Sequence, residues 1–393
     1  MARREHVVVH YDEIGLKGRN RSHFERALID NLVRAASDVA PLVPRRLPGR
    51  MLVAVPDGVR AADLAERLGE VYGVANCAAA VGGRLDFDGL CAIAGEAMEG
   101  AYETFAVRAR VAHSDFPLSA REINEKLGAW LLERHGRRVN LDHPDRTCHV
   151  EVVGDLVLVY VERVAGLGGL PVGTSGRVSV LLSAGIDSPV AAARMMRRGA
   201  HCDFVHFHSQ PFTDASSVRN ATELVERLTR RQYESVLHLA PLAPAQQEIV
   251  ASCPEPLRTI LYRRMMMRIA AALAERDGAR ALVTGDALGQ VASQTLENLA
   301  CVEDASPIPV LRPLIGLDKL EIIGQARALG TFEVSSAPCQ EACVLFEPKG
   351  PVTKGRIQDM QRAESALDVR ALVQEAVSNT ETKRLTWPDA PVP

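Results

Sequence analysis

The chain has 393 residues, of which 47% are hydrophobic and 24% are charged. This composition is typical of a globular protein and excludes a fibrous repeat or wholesale disorder, and the length predicts two or three domains. The formal net charge of -3 gives the whole molecule no field that attracts polyanions, so a nucleic-acid interface has to be a local basic patch. Residues 1–50 form such a patch, because they hold ten lysines and arginines against six acidic residues.

The sequence predicts neither a membrane protein nor a secreted one. Arg268 and Glu275 interrupt the apolar segment around Met265, so no stretch approaches the roughly 18 consecutive apolar residues of a membrane span. Residues 1–13 are too polar for a signal peptide. The eight cysteines are scattered through a long chain, which is not typical of a disulfide scaffold. We therefore expect a cytoplasmic protein whose thiols are mostly buried.

Hydrophobic periodicity in the first half of the chain predicts short strands and amphipathic helices. The predicted strands cover residues 6–10, 51–55, 104–111 and 147–162, and the predicted helices cover residues 22–36, 61–68 and 119–134. This pattern indicates two small α+β units in succession. The glycine-rich run at residues 166–176 then breaks the periodicity, and we place a domain boundary there.

Beyond this boundary, strands and helices alternate. The predicted strands cover residues 178–182, 203–208, 235–239 and 281–285, and the predicted helices cover residues 189–198, 214–231 and 257–275. Such alternation is typical of a doubly wound parallel sheet. Residues 318–321 have capping-box spacing and predict the start of a further helix. Residues 381–393 contain little apolar surface and are predicted to be a flexible tail.

The most informative segment is Ser-Ala-Gly-Ile-Asp-Ser at residues 183–188. A predicted strand leads into it, and Pro189 stands in the first turn of the helix that follows, so backbone N–H groups and two hydroxyls converge on the positive end of that helix. The segment is thus a candidate anion site. It lacks the Gly-Lys-Ser/Thr ending of a kinase-type P-loop and the three-glycine dinucleotide fingerprint. The alternative is a plain helix cap, since serine and aspartate are favoured there.

The Ser-x-Gly-x-Asp-Ser pattern resembles the pyrophosphate loop of the PP-loop ATP pyrophosphatases, which cut ATP between its α and β phosphates and adenylate a substrate. Ala184 departs from the Gly-Gly pair that is usual there. If residue 184 needs a positive φ, an alanine costs about 1–2 kcal/mol. With a negative φ it costs little, although its Cβ would still point near the pyrophosphate.

Further motifs extend the resemblance along nearly the whole chain. They are Tyr-Asp-Glu-Ile-Gly-Leu-Lys-Gly-Arg-Asn-Arg at residues 11–21, Gly-Gly-Leu-Pro-Val-Gly at 168–173, Arg-Arg-Met-Met-Met-Arg at 263–268, the segment 284–296, and Arg-Pro-Leu-Ile at 312–315 followed by Asp-Lys at 318–319. With the loop at 181–188, these motifs resemble the tRNA 4-thiouridine synthetase (tRNA sulfurtransferase) family in its short form without a rhodanese domain.

The resemblance implies an α/β chain of three domains. They are an N-terminal ferredoxin-like domain at residues 1–58, a THUMP domain at 59–165, and a doubly wound parallel-sheet PP-loop domain of the adenine nucleotide alpha hydrolase-like kind at 176–380. The first two domains bind tRNA in this family, and the residues implied to contact its phosphates are Lys17, Arg19, Arg21, Arg45 and Arg46.

The resemblance also implies the site residues of the third domain. Those implied to bind ATP are Leu181, Leu182, Ser183, Gly185, Ser188, His206, Phe207, Arg263, Gly285 and Gln294. Asp187 is implied to act through a Mg²⁺ ion that bridges the phosphates, or by orienting the nucleotide, and Lys319 is implied to stabilise charge at the α-phosphate. No residue is assigned as a dedicated metal ligand.

Cys343 matches the family cysteine that carries persulfide sulfur, and we predict Cys339 as its partner in a transient disulfide. An iron–sulfur cluster held by both cysteines and a third thiol is an alternative. The implied partners are tRNA, a cysteine desulfurase or another persulfide donor, a thiamine sulfur-carrier protein in some members, and a second copy of the chain. In that homodimer, the THUMP domain of one subunit presents tRNA to the catalytic domain of the other.

The implied activity is ATP-dependent conversion of a uridine, at position 8 of tRNA, to 4-thiouridine, with a role in forming the thiazole of thiamine in some members. Two alternatives stay open. One is adenylation for a different nucleophile, in another tRNA thiolation or an amidation. The other is an RNA-binding protein whose ATP site has decayed, for which Ala184 is the sequence hint.

Overall fold

The computed structural model describes residues 4–112, 115–340, 348 and 350–388. The chain divides into two compact units, Met1–Pro171 and Val172–Pro393. The division falls inside the glycine-rich run at 166–176. Within the described ranges, no helix has the length and apolar character needed to span a membrane.

Over the residues that the structure describes, the first unit is one mixed sheet with four α-helices. Its elements are β1 (Arg4–His10), α1 (Arg21–Ala35), β2 (Arg45–Leu47), β3 (Arg50–Ala54), α2 (Ala61–Gly69), β4 (Asn76–Gly83), α3 (Phe87–Ala97), β5 (Thr104–Ala112), α4 (Ala120–His135), β6 (Arg138–Val139), β7 (Arg146–Val153), β8 (Leu156–Tyr160) and β9 (Val164–Ala165). The sheet order is β2-β3-β1-β4-β8-β7-β5-β6, and β9 pairs with β4. The predicted strands and helices of this half are therefore confirmed, except that the strand-rich segment at 147–162 is two strands, β7 and β8, joined by a turn.

Strand β4 connects the two predicted α+β units of this half. It pairs antiparallel with β1 from Arg4–Gly82 to His10–Asn76 and with β8 on its other side. The two predicted α+β units thus share one sheet, which β4 joins by pairing with β1 on one side and β8 on the other. The sequence Asn-Cys-Ala-Ala-Ala-Val-Gly-Gly hides this strand because alanine and glycine have low strand propensity.

A buried carboxylate joins strands on both sides of β4. Glu151 on β7 accepts hydrogen bonds from Tyr160 Oη at 2.8 Å and His10 Nε2 at 2.9 Å, and it is ion-paired with Arg50. Burial by itself would raise the pKa of Glu151, but the contacts with His10, Arg50 and Tyr160 outweigh it and hold the pKa at about 2. The ionised group therefore ties β1 and β3 to β7 and β8.

The second unit is a six-stranded sheet between helices. Its elements are β10 (Arg177–Leu181), α5 (Asp187–Arg197), β11 (His201–His208), α6 (Ser216–Gln232), β12 (Glu234–Pro241), α7 (Ala243–Ser252), α8 (Arg258–Asp277), β13 (Leu282–Val283), α9 (Leu296–Glu303), β14 (Val310–Leu311), α10 (Lys319–Leu329), α11 (Phe332–Ser335), α12 (Ile357–Glu364), α13 (Val369–Ser378) and β15 (Glu381–Thr386). The order is β14-β13-β10-β11-β12-β15. All neighbours are parallel except β12 and β15.

This order confirms the doubly wound parallel sheet and locates its switch point. The chain leaves β10 towards β11 and β12 on one side, and later returns to place β13 on the other side of β10. In open α/β sheets, ligands bind where the order reverses, at the carboxyl ends of the strands. The candidate anion loop follows β10 directly and therefore lies at this point.

The prediction of a flexible tail at 381–393 is wrong for residues 381–388. Strand β15 pairs antiparallel with β12 over six residues, and Trp387 N donates to Tyr233 O at 2.9 Å. Arg230 lies over the Trp387 ring at 4.7 Å. The sequence hides β15 because an edge strand needs little apolar surface and is commonly charged. Residues 389–393 lie outside the described residues.

Helix α8 forms much of the core of this unit. Met265, Met266 and Met267 are all buried in the cluster that packs α8 against the sheet, which confirms their prediction as packing residues. Arg264 is buried as well and donates to both carboxylate oxygens of Glu364 at 2.8 Å. Its neighbour Arg263 points to the carboxyl edge of the sheet.

Candidate active site

The loop between β10 and α5 is held by its own serines. Ser183 N donates to Ser188 Oγ at 3.0 Å, and Ser188 Oγ donates to Ser183 O at 3.2 Å. Gly185 N lies 3.3 Å from Ser183 Oγ. These contacts close the loop over the first turn of α5, where backbone N–H groups and the helix dipole favour an anion.

Ala184 fits this loop without strain. Among the residues that the structure describes, Tyr233 alone combines a side chain with a positive φ, so the cost of a left-handed alanine does not arise. Ala184 is 1% exposed, which shows that its methyl group packs inside the unit rather than into the open side of the loop. Ala184 therefore gives no sign of a decayed site.

Gly285, just beyond β13, lets two backbone segments approach closely. A Cβ atom at this position would lie 2.8 Å from Ser188 N and 3.0 Å from Asp187 C. Such contacts are too short for a methyl group, so an L side chain here would push β13 away from the loop. The resemblance implies that Gly285 binds ATP, and the structure shows that this glycine allows close approach to the loop itself.

Asp187 opens α5 and holds two polar side chains from other elements. Lys319 Nζ lies 2.6 Å from its Oδ1, and Gln290 Nε2 donates to its Oδ2 at 2.8 Å. Lys319 is the first residue of α10, whose capping box of Asp318 and Glu321 is confirmed. Gln290 lies inside the motif at 284–296, but the resemblance implies no role for it.

A second carboxylate, Asp286, organises the opposite side of the site. Arg263 donates to it at 2.6 Å, Thr284 at 2.7 Å and Gln294 at 3.3 Å, and Arg312 lies 3.5 Å away. Burial would raise the pKa of Asp286, but the two arginines and the Thr284 hydroxyl lower it. The ionised carboxylate thereby orients Arg263. Sequence reasoning missed Asp286, and its position directly after a buried strand was the available signal.

These groups surround a cavity of about 410 Å³, a size within the range of small-molecule sites. Of the residues predicted at the ATP site, the cavity is lined by Leu181, Ser183, Asp187, Ser188, Arg263, Gly285 and Gln294. Residues not predicted from the sequence also line it, namely Thr259, Tyr262, Met266, Met267, Thr284, Asp286, Val291, Ala292, Ser293 and Pro351. The cavity thus joins an anion loop, a cationic side chain and an apolar wall.

The side chains of Leu182, His206 and Phe207 are buried beside the cavity rather than lining it. His206 Nδ1 lies 2.9 Å from Leu182 O, and its Nε2 lies 3.3 Å from Ser217 Oγ. Burial lowers the pKa of His206 to about 4, so the ring is neutral. Because a carbonyl can only accept, Nδ1 carries the proton and Nε2 accepts from Ser217. His206 therefore braces the strand that leads to the loop.

The structure describes one of the two cysteines that are predicted to take part in sulfur transfer. Cys343 lies outside the described residues. Cys339 is half-buried, and the next residue is anchored, since Gln340 N donates to Ser216 Oγ at 3.1 Å and its Oε1 accepts from Asp214 N at 3.1 Å. This anchor places Cys339 near the start of α6, at the carboxyl edge of the sheet.

The other described cysteines are buried thiols, as predicted. Burial raises the pKa of Cys77 and of Cys148 to about 12, so both thiols stay protonated and unreactive. No disulfide joins the cysteines that the structure describes. Nor do the described ranges contain a cluster of three His, Cys, Asp or Glu side chains suited to a metal ion.

In the first unit, some of the basic residues predicted to contact tRNA line a common depression and others lie outside it. Arg21 and Arg46 both bind the buried Glu25, at 2.9 and 3.1 Å. Together with the exposed Arg19 they line an open depression of about 610 Å³. Three positive charges against one carboxylate leave this depression basic. Lys17 and Arg45 instead have acidic partners outside it, Glu13 and Asp155.

Comparison with known proteins gives consistent matches along the chain. The family described as thiamine biosynthesis protein (ThiI) matches residues 173–369, the ThiI ferredoxin-like domain matches 6–78, and the THUMP domain matches 87–162. The chain is 42% identical over 384 residues to a probable tRNA sulfurtransferase of Thermus thermophilus, covering 98% of this chain and 94% of that protein. A relative with the same name from Nocardia farcinica is 42% identical over 381 residues, covering 95% and 92%.

Solved structures agree with the sequence matches. A crystal structure described as a 4-thiouridine synthetase–RNA complex with bound ATP superposes with a TM-score of 0.89 at 36% identity, covering 97% of this chain and 99% of that chain. A second structure, from Pyrococcus horikoshii, has a TM-score of 0.63 at 22% identity over 83% of this chain and 99% of that chain. The second match shows a shared fold alone.

Proposed function

Because this chain belongs to the ThiI family of tRNA sulfurtransferases, we propose that it adenylates a tRNA uridine, at position 8 by resemblance, and replaces the uracil O4 with sulfur to give 4-thiouridine. The relatives that cover nearly the whole chain carry the name tRNA sulfurtransferase, and the similar solved structure holds RNA and ATP. The observation that carries the proposal is the pairing of Lys319 with Asp187, which lines the same cavity as Ser183 and Ser188 of the loop.

Each of the two units has its own proposed role. The ferredoxin-like and THUMP regions of the first unit bind tRNA, and the basic depression at Arg19, Arg21 and Arg46 contacts its phosphates. The PP-loop region of the second unit, up to residue 380 as predicted, binds ATP and carries the chemistry. Strand β15, beyond that limit, completes the same sheet.

For ATP, the proposed contacts follow the lining of the cavity. The loop at 183–188 receives the β and γ phosphates on its N–H groups, and Arg263, oriented by Asp286, offsets their charge. Leu181 and Gly285 border the nucleotide. His206 contributes by bracing Leu182 through its backbone carbonyl. Leu182 and Phe207 contribute through their positions at the carboxyl ends of β10 and β11.

Asp187 fits a role beside Mg²⁺, because a protein commonly holds this ion with one or two carboxylates while substrate phosphates supply further oxygens. When bound, Mg²⁺ neutralises phosphate charge and aligns the triphosphate. Asp187 is the carboxylate at the loop that is available for this purpose. Lys319 and Gln290, which contact Asp187 in this structure, would then contact the ligand as well.

In the first chemical step, the uracil O4 attacks the α-phosphorus, the bond from the α-phosphorus to the bridging oxygen breaks, and N3 of the base releases its proton to solvent. Pyrophosphate leaves towards the loop at 183–188. Lys319 stabilises the charge that develops on the α-phosphate oxygens, because its ammonium is already held at the loop. The C4 carbon of the base then carries an adenylate leaving group.

In the second step, the terminal sulfur of a persulfide on Cys343 attacks C4 and AMP leaves. Cys339 then attacks the inner sulfur, which frees the thiocarbonyl of the base and leaves a Cys339–Cys343 disulfide for an external thiol to reduce. The anchored position of Cys339 at the carboxyl edge of the sheet supports this role. The proposed sulfur source is a cysteine desulfurase or another persulfide donor.

Three further proposals follow from the family. The chain works as a homodimer in which one subunit presents tRNA to the other, it acts in the cytoplasm, and it also passes sulfur to a thiamine sulfur-carrier protein for thiazole formation. The description of the matching family as a thiamine biosynthesis protein supports the last of these.

Incubation with tRNA, Mg-ATP and labelled sulfide tests the central proposal. We expect the near-ultraviolet absorbance of 4-thiouridine together with one AMP for each sulfur incorporated. Release of AMP without 4-thiouridine would favour adenylation for a different nucleophile. Calorimetric titration with Mg-ATP tests the decayed-site alternative, which requires normal tRNA affinity and no heat from the nucleotide.

A further inference from the structure

Large apolar side chains are exposed around the mouth of the ATP cavity. Leu288 is 49% exposed and Val291 is 51% exposed, both in the connection from β13 to α9. Leu320, directly after Lys319 in the first turn of α10, is 78% exposed. Ile315, at 38%, precedes the same helix. We call these four residues the apolar rim.

Hydrogen bonds hold the two segments of the rim together. Leu288 N donates to Ile315 O at 3.1 Å. Gln290 and Lys319 each bind one oxygen of Asp187, so the connection and the start of α10 meet at the same carboxylate. Val291 also lines the cavity. The rim is therefore continuous with the site of phosphate chemistry, whereas isolated exposed apolar residues elsewhere need no explanation.

We propose that the apolar rim binds the target uracil after it leaves the tRNA stack, and that Gln290 reads its edge. This inference rests on the proposed function. Enzymes that react with a nucleobase extrude it, enclose its faces with apolar or aromatic side chains and recognise its edge by hydrogen bonds. To attack the α-phosphorus, O4 has to come beside Lys319, and the rim borders that position.

Gln290 supplies the polar group that a base-binding site at the apolar rim needs. Its Nε2 is fixed on Asp187, and its Oε1 accepts no hydrogen bond from the residues that the structure describes. A carboxamide oxygen accepts from the N3–H of uracil but has nothing to accept from the unprotonated N3 of cytosine. Gln290 therefore selects uracil over cytosine.

A nucleobase suits the rim better than a donor protein does. The base has to be in place together with ATP, and Val291 borders both the rim and the cavity. A sulfur donor acts through a cysteine and has no need to touch the nucleotide site.

The first test measures tRNA binding with a non-hydrolysable ATP analogue. The enzyme carries Leu288→Ser with Leu320→Ser, two residues of the rim that do not line the cavity. Ile357→Ser, on another exposed residue in α12, is the matched control. The tRNAs carry uridine, cytidine or an abasic site at the target position. For the wild type and the control, we expect the abasic tRNA to bind about tenfold more weakly. The double variant should bind uridine and abasic tRNAs equally, and an undiminished tenfold ratio would overturn the proposal.

The second test separates the base from a donor protein. With inorganic sulfide as the only sulfur source, we expect the double variant to thiolate about tenfold more slowly at subsaturating tRNA, with unchanged affinity for ATP. A defect that appears only with a persulfide-donor protein would overturn the base-binding role.

Gln290→Met should lose the preference for uridine over cytidine in the binding assay. If the wild type thiolates nothing, the proposed function fails, but the binding ratios still decide the role of the rim.

Discussion

Lys319 and Asp187 form an ion pair of 2.6 Å that joins the first turn of α10 to the first turn of α5. The pair holds the ammonium group of Lys319 at the loop that we expect to bind phosphates. Lys319 and Asp187 are 132 residues apart in the sequence. Lys319 is partly exposed, so the pair adds little to stability. The pair contributes to catalysis instead, because it holds the positive charge of Lys319 in place before the transition state forms.

Lys319→Ala should therefore lower kcat for thiolation by about 10²–10³, with a smaller change in the affinity for ATP. Single-turnover kinetics together with calorimetric ATP titration measure the two effects. Lys383→Ala is the matched control, because Lys383 is about as exposed and also pairs with a carboxylate, on β15. An equal loss in kcat and ATP affinity would show that Lys319 binds the ground state only.

Gly285→Ala should weaken ATP binding more than tenfold. The added methyl group would lie 2.8 Å from Ser188 N, so β13 or the loop has to move, with about 1–3 kcal/mol of destabilisation. Gly324→Ala is the control, because a Cβ there meets no atom within 4 Å and alanine should stabilise the interior of α10 by about 1 kcal/mol. Calorimetric titration and chemical unfolding of both variants check the prediction.

The loop could be predicted from the sequence because its strand, small residues and helix start are consecutive. The same holds for α10, whose capping box at Asp318 and Glu321 is local. The partners of Asp286 could not be predicted, since Arg263 and Arg312 reach it from distant elements. Strands β4 and β15 were missed for a related reason, because pairing partners rather than apolar pattern define them.

Ala184→Gly tests whether the departure from the Gly-Gly pair matters. Because Ala184 has no positive φ and its methyl group is buried, glycine relieves no strain. We expect ATP affinity to stay within about twofold, and stability to fall by about 0.5–1 kcal/mol from the greater freedom of the unfolded chain. Calorimetric titration at fixed Mg²⁺ measures the affinity, and a large gain would mean that the alanine does hinder phosphate binding.

The stability of the second unit should fall as the pH drops below 6.5, partly through His206. Burial lowers its folded pKa to about 4 from 6.5. The unfolded chain therefore binds a proton first, so the stabilisation is complete above pH 6.5 and is lost as the pH falls towards 4. For this group the loss between pH 8 and pH 5 is about 2 kcal/mol. Urea unfolding at both pH values should show that His206→Gln has a smaller pH dependence than the wild type.

Arg19→Ala should weaken tRNA binding without changing which nucleotide is thiolated. Arg19 is exposed at the edge of the basic depression, and a single phosphate contact contributes about one unit to the slope of log K against log salt. Filter binding between about 50 and 200 mM salt, a range over which every two phosphate contacts cost about tenfold in affinity, measures that slope. Arg121→Ala is the control, because Arg121 is highly exposed on α4 and pairs with Glu125. An unchanged slope for Arg19→Ala would place the phosphate contacts elsewhere on the first unit.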